Sequence, residues 1–276
     1  MTISTNFTRR SFGALMLGST AACALRQPEP IPVKIILPSF LDEYEPLFDA
    51  GFDLPGIPVE YTTGINRRMS GTYLGEAPKN SIDVDPYAKF LYHVKGDGTA
   101  VRYPISVGHA GRSFRGTGVI RLKKQWPGWS PTQNMLRTEP EIYGPFRRGI
   151  PGGLRSPLGA RALYLFRNGR DTYYRIHGTN DLGSIGNSGS AGCIRMFNQD
   201  MIHLYDAVEK GIKVLVRSED ESLRVDPENY NRGVELPAKQ IDPDMIYGEE
   251  ALANDQPPDF DAVDPNAPII ESNVPL

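Results

Sequence analysis

Residues 173–196 read YYRIHGTNDLGSIGNSGSAGCIRM, and this stretch places two reactive side chains on either side of one loop. The β-branched and aromatic residues before His177 predict a strand that ends at this histidine. The glycine- and serine-rich segment that follows predicts a loop that can bring His177 and Cys193 together. A thiol with an unperturbed pKa near ~8.5 is mostly protonated at neutral pH, and a neighbouring imidazole can accept its proton. The pattern therefore favours acyl transfer by a cysteine nucleophile.

The backbone beside the cysteine fits the same chemistry. Gly192 permits a close approach of the chain, so the amide N–H groups of Ala191, Gly192 and Cys193 can converge on a developing oxyanion. A zinc site is the weaker alternative, because His177 and Cys193 have no further ligands at the spacing that zinc sites use. We therefore expect no metal and no cofactor.

The N-terminus predicts export. Residues 8–12 read TRRSF and precede a short apolar run and small residues, which is the pattern of a twin-arginine signal peptide over residues 1–24. Cleavage is expected after Ala24, or before Cys23 if that cysteine is lipidated as in a bacterial lipoprotein. Cys193 is then the only cysteine left, and an unpaired thiol in an oxidising compartment favours a reactive role. A buried cysteine that packs as a small apolar side chain is the alternative.

Short segments rich in β-branched and aromatic residues predict the strands of the main domain. They are residues 89–94, 100–107, 118–122, 162–167, 172–177 and 213–217. One helix is predicted, with Asn198 as its N-cap and an apolar stripe over Met201, Leu204, Tyr205 and Val208 before Gly211. Residues 126–153 form a long loop that bears both tryptophans, which is typical of a lid or a binding wall, with a plain surface loop as the alternative.

The flanking segments differ from this domain in composition. Residues 25–80 are rich in proline and are expected to form a loop-rich extension over a domain at residues 81–217. Residues 218–276 hold 15 acidic and 3 basic residues, which predicts a solvated tail, with a partner-binding segment as the second choice.

Composition excludes several classes of function. A chain of 276 residues with 39% hydrophobic content is long enough for one large domain or two small ones. The sequence has no polybasic patch with interleaved aromatics, so nucleic acid is not an expected partner. It also has no run of 18 apolar residues, so no transmembrane span is expected.

Four short motifs resemble the YkuD-type catalytic domain of bacterial L,D-transpeptidases. They are IHGTN at 176–180, SIG at 184–186, S-x-GCIRM at 190–196 and N-x-D at 198–200. The resemblance extends over about residues 81–217 and leaves the extension and the tail unexplained. It implies a mainly β fold, a β-sandwich or partly closed barrel, with one short helix after the cysteine and a long lid loop.

The resemblance also implies a reaction. Cys193 would attack the carbonyl of the L-centre, usually of diaminopimelate, in a tetrapeptide stem of peptidoglycan and release D-alanine. His177 would be the general base, oriented by the backbone carbonyl of Gly178. An amine of a second stem would then capture the acyl-enzyme to give a 3-3 crosslink, or a lysine of an envelope protein would do so. Carbapenem-type β-lactams are the expected inhibitors, and the bacterial periplasm or cell envelope is the expected location.

The resemblance further implies which residues bind the substrate. These are Arg195, Thr179, Asn180, Ser190 and Trp129, and a structural salt bridge is an equal alternative for Arg195. Many family members have a second histidine where this chain has Ala191, so the tuning by that imidazole is absent here. The backbone amide is retained, and we expect an active enzyme.

Two other functions compete with transpeptidation. Water can resolve the same acyl-enzyme, which would make the protein an L,D-carboxypeptidase or amidase. A non-catalytic cell-wall-binding protein is the second alternative, and the presence of both Cys193 and His177 weighs against it. A papain-like protease is disfavoured, because its cysteine precedes its histidine by a long interval.

Overall fold

The computed structural model describes residues 43–108, 114, 116–189 and 192–234. The strands are β1 (Leu47–Asp49), β2 (Phe52–Leu54), β3 (Met69–Thr72), β4 (Ile82–Asp85), β5 (Phe90–Val94), β6 (Thr99–Pro104), β7 (Ser106–Val107), β8 (Gly116–Gln125), β9 (Arg161–Arg167), β10 (Arg170–Thr179), β11 (Ile194–Phe197) and β12 (Lys213–Val216). The α-helices are α1 (Gln133–Thr138), α2 (Pro140–Tyr143), α3 (Asn198–Ala207) and α4 (Glu219–Val225). The predicted signal peptide, Cys23, Ser190, Ala191 and the tail from residue 235 onward lie outside the described residues.

Ten of these strands form one mixed sheet, in the order β3-β6-β5-β4-β12-β8-β9-β10-β11-β7. Strands β6 and β7 lie near opposite ends of this order, yet only Ile105 separates them in the chain. The sheet must therefore curl until its two ends meet at this residue. The outermost described strands, β3 and β7, do not pair with each other, so the curled sheet is not a closed barrel. The expected mainly β, partly closed architecture is confirmed.

The curled sheet encloses one apolar core, and α3 covers it by packing against β9, β10 and β11. The helix begins one residue earlier than predicted and ends one residue before Val208, and of the predicted stripe Met201 and Leu204 are fully buried. Asn198 is its first residue but not its cap, because the preceding Phe197 occupies that position without a side-chain cap. The amide of Asn198 bonds to the sheet instead.

All six predicted strands are present, but the predicted strand at 100–107 is two strands, because the residues before Ile105 pair with β5 and those after it pair with β11. Strands β1 to β4 and β11 were not predicted from the sequence. In β4, which reads IDVD, the two carboxylates are buried and pair with one distant arginine. Arg217 contacts Asp83 at 2.6 Å and Asp85 at 3.0 Å. A buried acidic pair of this kind has no local signal in the sequence.

The predicted lid, residues 126–153, is more regular than a plain loop. It contains α1 and α2, and the hydroxyl of Thr132 caps α1 by accepting from the backbone N–H of Met135 at 3.2 Å. Its two ends are joined where Trp129 and Ile150 form an isolated β-bridge with N···O distances of 2.8 and 2.6 Å. The segment is therefore a closed loop with a fixed base.

The flanking segments are more ordered than their composition indicates. The described part of the extension contains the β1–β2 hairpin, whose Phe52 packs against Trp126 at 4.5 Å between ring centroids. The start of the acidic tail is helical over α4, with a capping box formed by Ser218 and Glu221. Within the described part of the chain, no helix is long and apolar enough to span a membrane.

Candidate active site

The site lies on one face of three neighbouring strands, and their register fixes which side chains share that face. In the parallel pair β10–β11, His177 is opposite Arg195, and Ile176 is opposite Ile194. Successive side chains of a strand point to opposite faces. Ile176 and Ile194 belong to the apolar core, so His177 and Arg195 lie on the other face.

Cys193 immediately precedes β11 and lies two residues before Arg195, which places it on the face of His177. Strand spacing and rise put the Cα atoms of such diagonal neighbours about 8 Å apart. The cysteine is half-buried, and its Sγ lies 4.0 Å from the carbonyl oxygen of Tyr173. The structure thus brings the two predicted reactive residues to adjacent strands on one face.

The ring of His177 is held in one tautomer. Its Nδ1 lies 2.6 Å from the carbonyl oxygen of Gly178. Because a carbonyl oxygen can only accept a hydrogen bond, Nδ1 carries the proton and Nε2 of the neutral ring is left as an acceptor. The geometry suits a proton acceptor.

Burial keeps the imidazole of His177 and the thiol of Cys193 uncharged in the free protein. The imidazole of His177 is only 4% exposed, and burial, followed by the charges of Arg195 and Arg175, lowers its pKa to about 3. Burial also raises the pKa of the Cys193 thiol above its usual value. The resting pair is therefore a neutral thiol beside a neutral imidazole, and the thiol must lose its proton during the reaction.

Asn198 joins the backbone that follows His177 to the backbone before β9, a role that the sequence analysis missed. Its Oδ1 accepts from the N–H of Ala160 at 2.9 Å, and its Nδ2 donates to the carbonyl of Thr179 at 3.1 Å. A Cβ at position 178 would overlap this amide, so Gly178 is the residue that lets Asn198 approach. The N-x-D motif that begins at Asn198 was the available signal.

The predicted substrate-binding residues occupy different environments. Thr179 is buried, and its hydroxyl accepts from the N–H of Asp181 at 3.0 Å. Asn180 is exposed at the end of β10. Arg195 forms the alternative salt bridge, with 3.3 Å between its Nη1 and Asp181 Oδ2. Gly192 is buried with a φ of 130°, a conformation that favours glycine.

Trp129, the remaining predicted contact, belongs to an aromatic cluster in the lid. Its ring centroid lies 6.2 Å from that of Tyr143 and 6.4 Å from that of Phe146. The charge of Arg195 acts to lower the pKa of Tyr143, although burial raises it overall. This interaction links the lid to the strand that follows Cys193.

The described residues contain no group of three or more histidine, cysteine, aspartate or glutamate side chains that could hold a metal ion. The chemistry that the described site supports is acyl transfer through a thiol and an imidazole.

Comparison with known proteins identifies the family of this domain. The sequence model of the YkuD family, described as the L,D-transpeptidase catalytic domain, matches residues 79–216. The "Probable L,D-transpeptidase ErfK/SrfK" of Escherichia coli K12 is 31% identical over 161 residues, which are 57% of this chain and 50% of that protein. The "Probable L,D-transpeptidase YbiS" of the same strain is 32% identical over 142 residues, 51% of this chain and 45% of that protein. The chain therefore spans about half the length of these curated relatives.

Two solved structures are also similar. A Brucella melitensis crystal structure, described as a "Probable carnitine operon oxidoreductase caia", is 44% identical and covers 54% of this chain and 93% of its own, with a TM-score of 0.40. The solution structure of the Enterococcus faecium L,D-transpeptidase catalytic domain is 21% identical and covers 52% of this chain and all of its own, with a TM-score of 0.37. These TM-scores add no argument, and the assignment rests on the family model. Because that model matches half of the 276 residues, the chain belongs to the YkuD family of L,D-transpeptidase catalytic domains.

Proposed function

We propose that the protein is a peptidoglycan L,D-transpeptidase that forms 3-3 crosslinks through an acyl-enzyme on Cys193. The observation that carries this proposal is the tautomer of His177. The Nδ1 proton is committed to Gly178, so Nε2 is available on the face that Cys193 shares. A base with a free acceptor atom beside a thiol is the arrangement that nucleophilic catalysis requires.

The first half of the reaction makes the thioester. Nε2 of His177 takes the proton of Cys193 while Sγ attacks the carbonyl carbon of the L-centre in the donor stem. The N–H groups of Ala191, Gly192 and Cys193 stabilise the resulting oxyanion. When this intermediate collapses, the bond to the terminal D-alanine breaks, and the imidazolium returns its proton to the departing amine.

The second half resolves the thioester. An amine of an acceptor stem attacks the acyl carbon, His177 accepts a proton from that amine, and the bond to sulfur breaks. The proton then returns to Sγ, so the thiol and the neutral imidazole are restored. The lowered pKa of His177 keeps the ring neutral at neutral pH, so that Nε2 has a lone pair for the proton of the thiol or of the amine.

Substrate binding is assigned to the residues around the pair. Arg195, Thr179, Asn180, Ser190 and Trp129 would contact the stem peptides, and the lid would cover them. Arg195 is suited to this role because, among the described residues, its Nη1 contacts Asp181 at 3.3 Å, and a guanidinium has further donors that can bind a carboxylate of the stem. We further propose export to the periplasm by the twin-arginine signal, with a lipid anchor at Cys23 as the alternative to cleavage after Ala24.

Intact-protein mass spectrometry tests this function. The full chain is incubated with a disaccharide-tetrapeptide, and peptide mapping then locates any adduct at Cys193 rather than Cys23. We expect a tripeptide acyl adduct that Cys193→Ala abolishes, followed by a crosslinked dimer of stems. A carbapenem should form an adduct on the same sulfur.

Each other outcome identifies another function. Released tripeptide without a dimer would make the protein an L,D-carboxypeptidase or amidase. Acylation that is resolved only by a protein lysine would make it an anchoring enzyme. No adduct with the stem or the carbapenem would leave a non-catalytic wall-binding protein.

A further inference from the structure

An ion pair beside the cysteine is formed where a regular strand would not allow it. Asp171 and Arg175 lie four residues apart in β10, a separation of about 13 Å in a regular strand. Their side chains nevertheless contact each other at two points, each of 2.7 Å. The chain is contracted between them, because the four-residue step on β10 faces a two-residue step on β9.

Tyr173 takes up this contraction. Its φ is +61°, a left-handed conformation that is unfavourable for a bulky side chain. The carboxylate of Asp171 stabilises the bulge by accepting from the N–H of Tyr173 at 2.8 Å. The side chain of Tyr173 is 69% exposed, so its own packing does not account for the strain. The strained backbone at Tyr173 is therefore associated with the ion pair between Asp171 and Arg175.

The guanidinium of Arg175 is held on its remaining sides as well. Nη1 also donates to the carbonyl of Tyr174 at 3.0 Å, and the guanidinium carbon lies 4.2 Å from the ring centroid of Tyr164. The side chain of Arg175 is 13% exposed. Its position is thus set by a carboxylate, a carbonyl and an aromatic face.

This cation is a neighbour of the cysteine. The register that pairs Ile176 with Ile194 places Arg175 opposite Cys193 when it is continued by one residue. The carbonyl of Tyr173 is 4.0 Å from Sγ, and the backbone of Arg175 forms a hydrogen bond with the sulfur. Tyr164, which is opposite Arg175 on β9, completes a row of three residues across the sheet.

We propose that Arg175 is a positioning residue that Asp171 and Tyr164 hold in place so that its positive charge stabilises the thiolate of Cys193. The proposal rests on the proposed role of Cys193 as the nucleophile. The strained bulge in β10 would then serve to bring Asp171 into contact with Arg175 beside the cysteine. Arg175 acts through the sulfur and needs no contact with the substrate.

The other charges around the sulfur set the direction of each effect. Burial raises the pKa of Cys193, and Arg175 opposes it through its backbone hydrogen bond and its charge. Arg195 of β11 lowers this pKa as well, and Asp171 raises it. In the described part of the chain, the other titratable groups that face this cluster are His177 of β10, Tyr164 of β9, Asp181 after β10 and Tyr143 of the lid.

The test compares Arg175→Gln with Asp171→Asn, because the two variants break the same ion pair and change the charge in opposite directions. The rate of alkylation by iodoacetamide is measured in the full chain between pH 7 and 11.5, on the digested peptide that carries Cys193. We expect the midpoint of the profile to rise by about one pH unit in Arg175→Gln. It should fall in Asp171→Asn, because the asparagine oxygen still accepts a hydrogen bond from Arg175 and keeps it in place, whereas the negative charge that raises the pKa of Cys193 is gone. Arg175→Lys keeps the charge and should keep most of the wild-type midpoint.

Arg170→Gln is the matched control, since it removes the same charge from an exposed position at the start of the same strand. Its midpoint should equal that of the wild type. Midpoints that move in the same direction in Arg175→Gln and Asp171→Asn, or do not move, would show a merely structural ion pair and overturn the proposal. If Arg175→Gln does not fold, Asp171→Asn and Arg175→Lys still give the decisive comparison.

Alkylation needs no stem peptide, so the result is independent of the proposed function. Opposite shifts in a protein that forms no crosslink would overturn transpeptidation and leave the electrostatic role in place. A protein that forms crosslinks but lacks these shifts would support transpeptidation and overturn the electrostatic role of Arg175.

Discussion

Asp49, in the β1–β2 hairpin, forms a two-point ion pair with Arg161 at the start of β9, with contacts of 2.6 and 2.7 Å. The same carboxylate accepts from Nε1 of Trp126 at 2.7 Å. Trp126 begins the lid, and its backbone N–H donates to the carbonyl of Ala160 at 2.8 Å. One carboxylate of the N-terminal extension thus fixes the base of the lid and the strand beside the active site.

Asp49→Asn should destabilise the protein, because Arg161 is 3% exposed and would lose its counter-ion. A buried pair broken in this way costs about 3 kcal/mol, which corresponds to a fall in Tm of roughly 6–12 °C. Thermal unfolding followed by circular dichroism measures the change. Asp53→Asn, at an exposed position of the same hairpin, is the control and should leave Tm unchanged. Equal Tm values for both variants would mean that the Asp49 contact contributes little.

Stability should fall below neutral pH because of His177. Its pKa is about 3 in the folded protein, against an ordinary value of 6.5. As the pH falls through 6.5, the unfolded chain binds a proton that the folded chain does not, so stability is complete above pH 6.5 and is lost toward pH 3. The loss by pH 5 is about 2 kcal/mol. His93 and Asp200 also have shifted pKa values and titrate in the same window, so the contribution of His177 is the difference between two proteins. Urea unfolding at pH 7 and pH 5 should show a change in stability that is less favourable in the wild type than in His177→Gln by about this amount; matching changes would contradict a buried neutral imidazole.

Gly178 and Asn198 should behave as a coupled pair. Gly178→Ala places a Cβ against the amide of Asn198 and should reduce both stability and acylation of Cys193. Asn198→Ala leaves the N–H of Ala160 and the carbonyl of Thr179 without this partner, at a cost of about 2 kcal/mol. The double variant removes the overlap, so its loss should be smaller than the sum of the two single losses. Strict additivity in a double-mutant cycle would argue against the close approach.

Relief of the strained bulge should not destabilise the fold. Asparagine tolerates a positive φ better than tyrosine, and the ring of Tyr173 is mostly exposed. Tyr173→Asn is therefore expected to match the wild type in free energy of unfolding or to exceed it by up to about 1 kcal/mol. Tyr173→Val, which puts a β-branched side chain at the same φ, should be less stable than either. The opposite ranking in urea unfolding would count against strain at this residue.

The parts that the sequence could predict are local. The strand before His177, the loop after it and the apolar stripe of α3 each depend on neighbouring residues. The family resemblance supplied the partly closed β architecture in addition. These patterns were enough to place His177 and Cys193 on adjacent elements.

The parts that it could not predict depend on distant partners. Asp83 and Asp85 have the local character of turn residues, and their charges are neutralised in the buried strand by Arg217, which lies more than 130 positions away. Asp49 meets Arg161 across 112 positions. The ion pair of Asp171 and Arg175 is close in sequence, but a regular strand would keep its partners apart, so only the bulge reveals it.

The single residue between β6 and β7, Ile105, limits insertions and deletions at this point of the chain. Ile105 joins β6, which pairs with β5, to β7, which pairs with β11. In the second pair, Ser106 is opposite Arg195 and Val107 is opposite Ile194. One inserted residue at this point would shift the alternation and turn Val107 out of the core while Ser106 turned in. The length of the chain at residue 105 is thus fixed by its pairing with the strand that follows the cysteine.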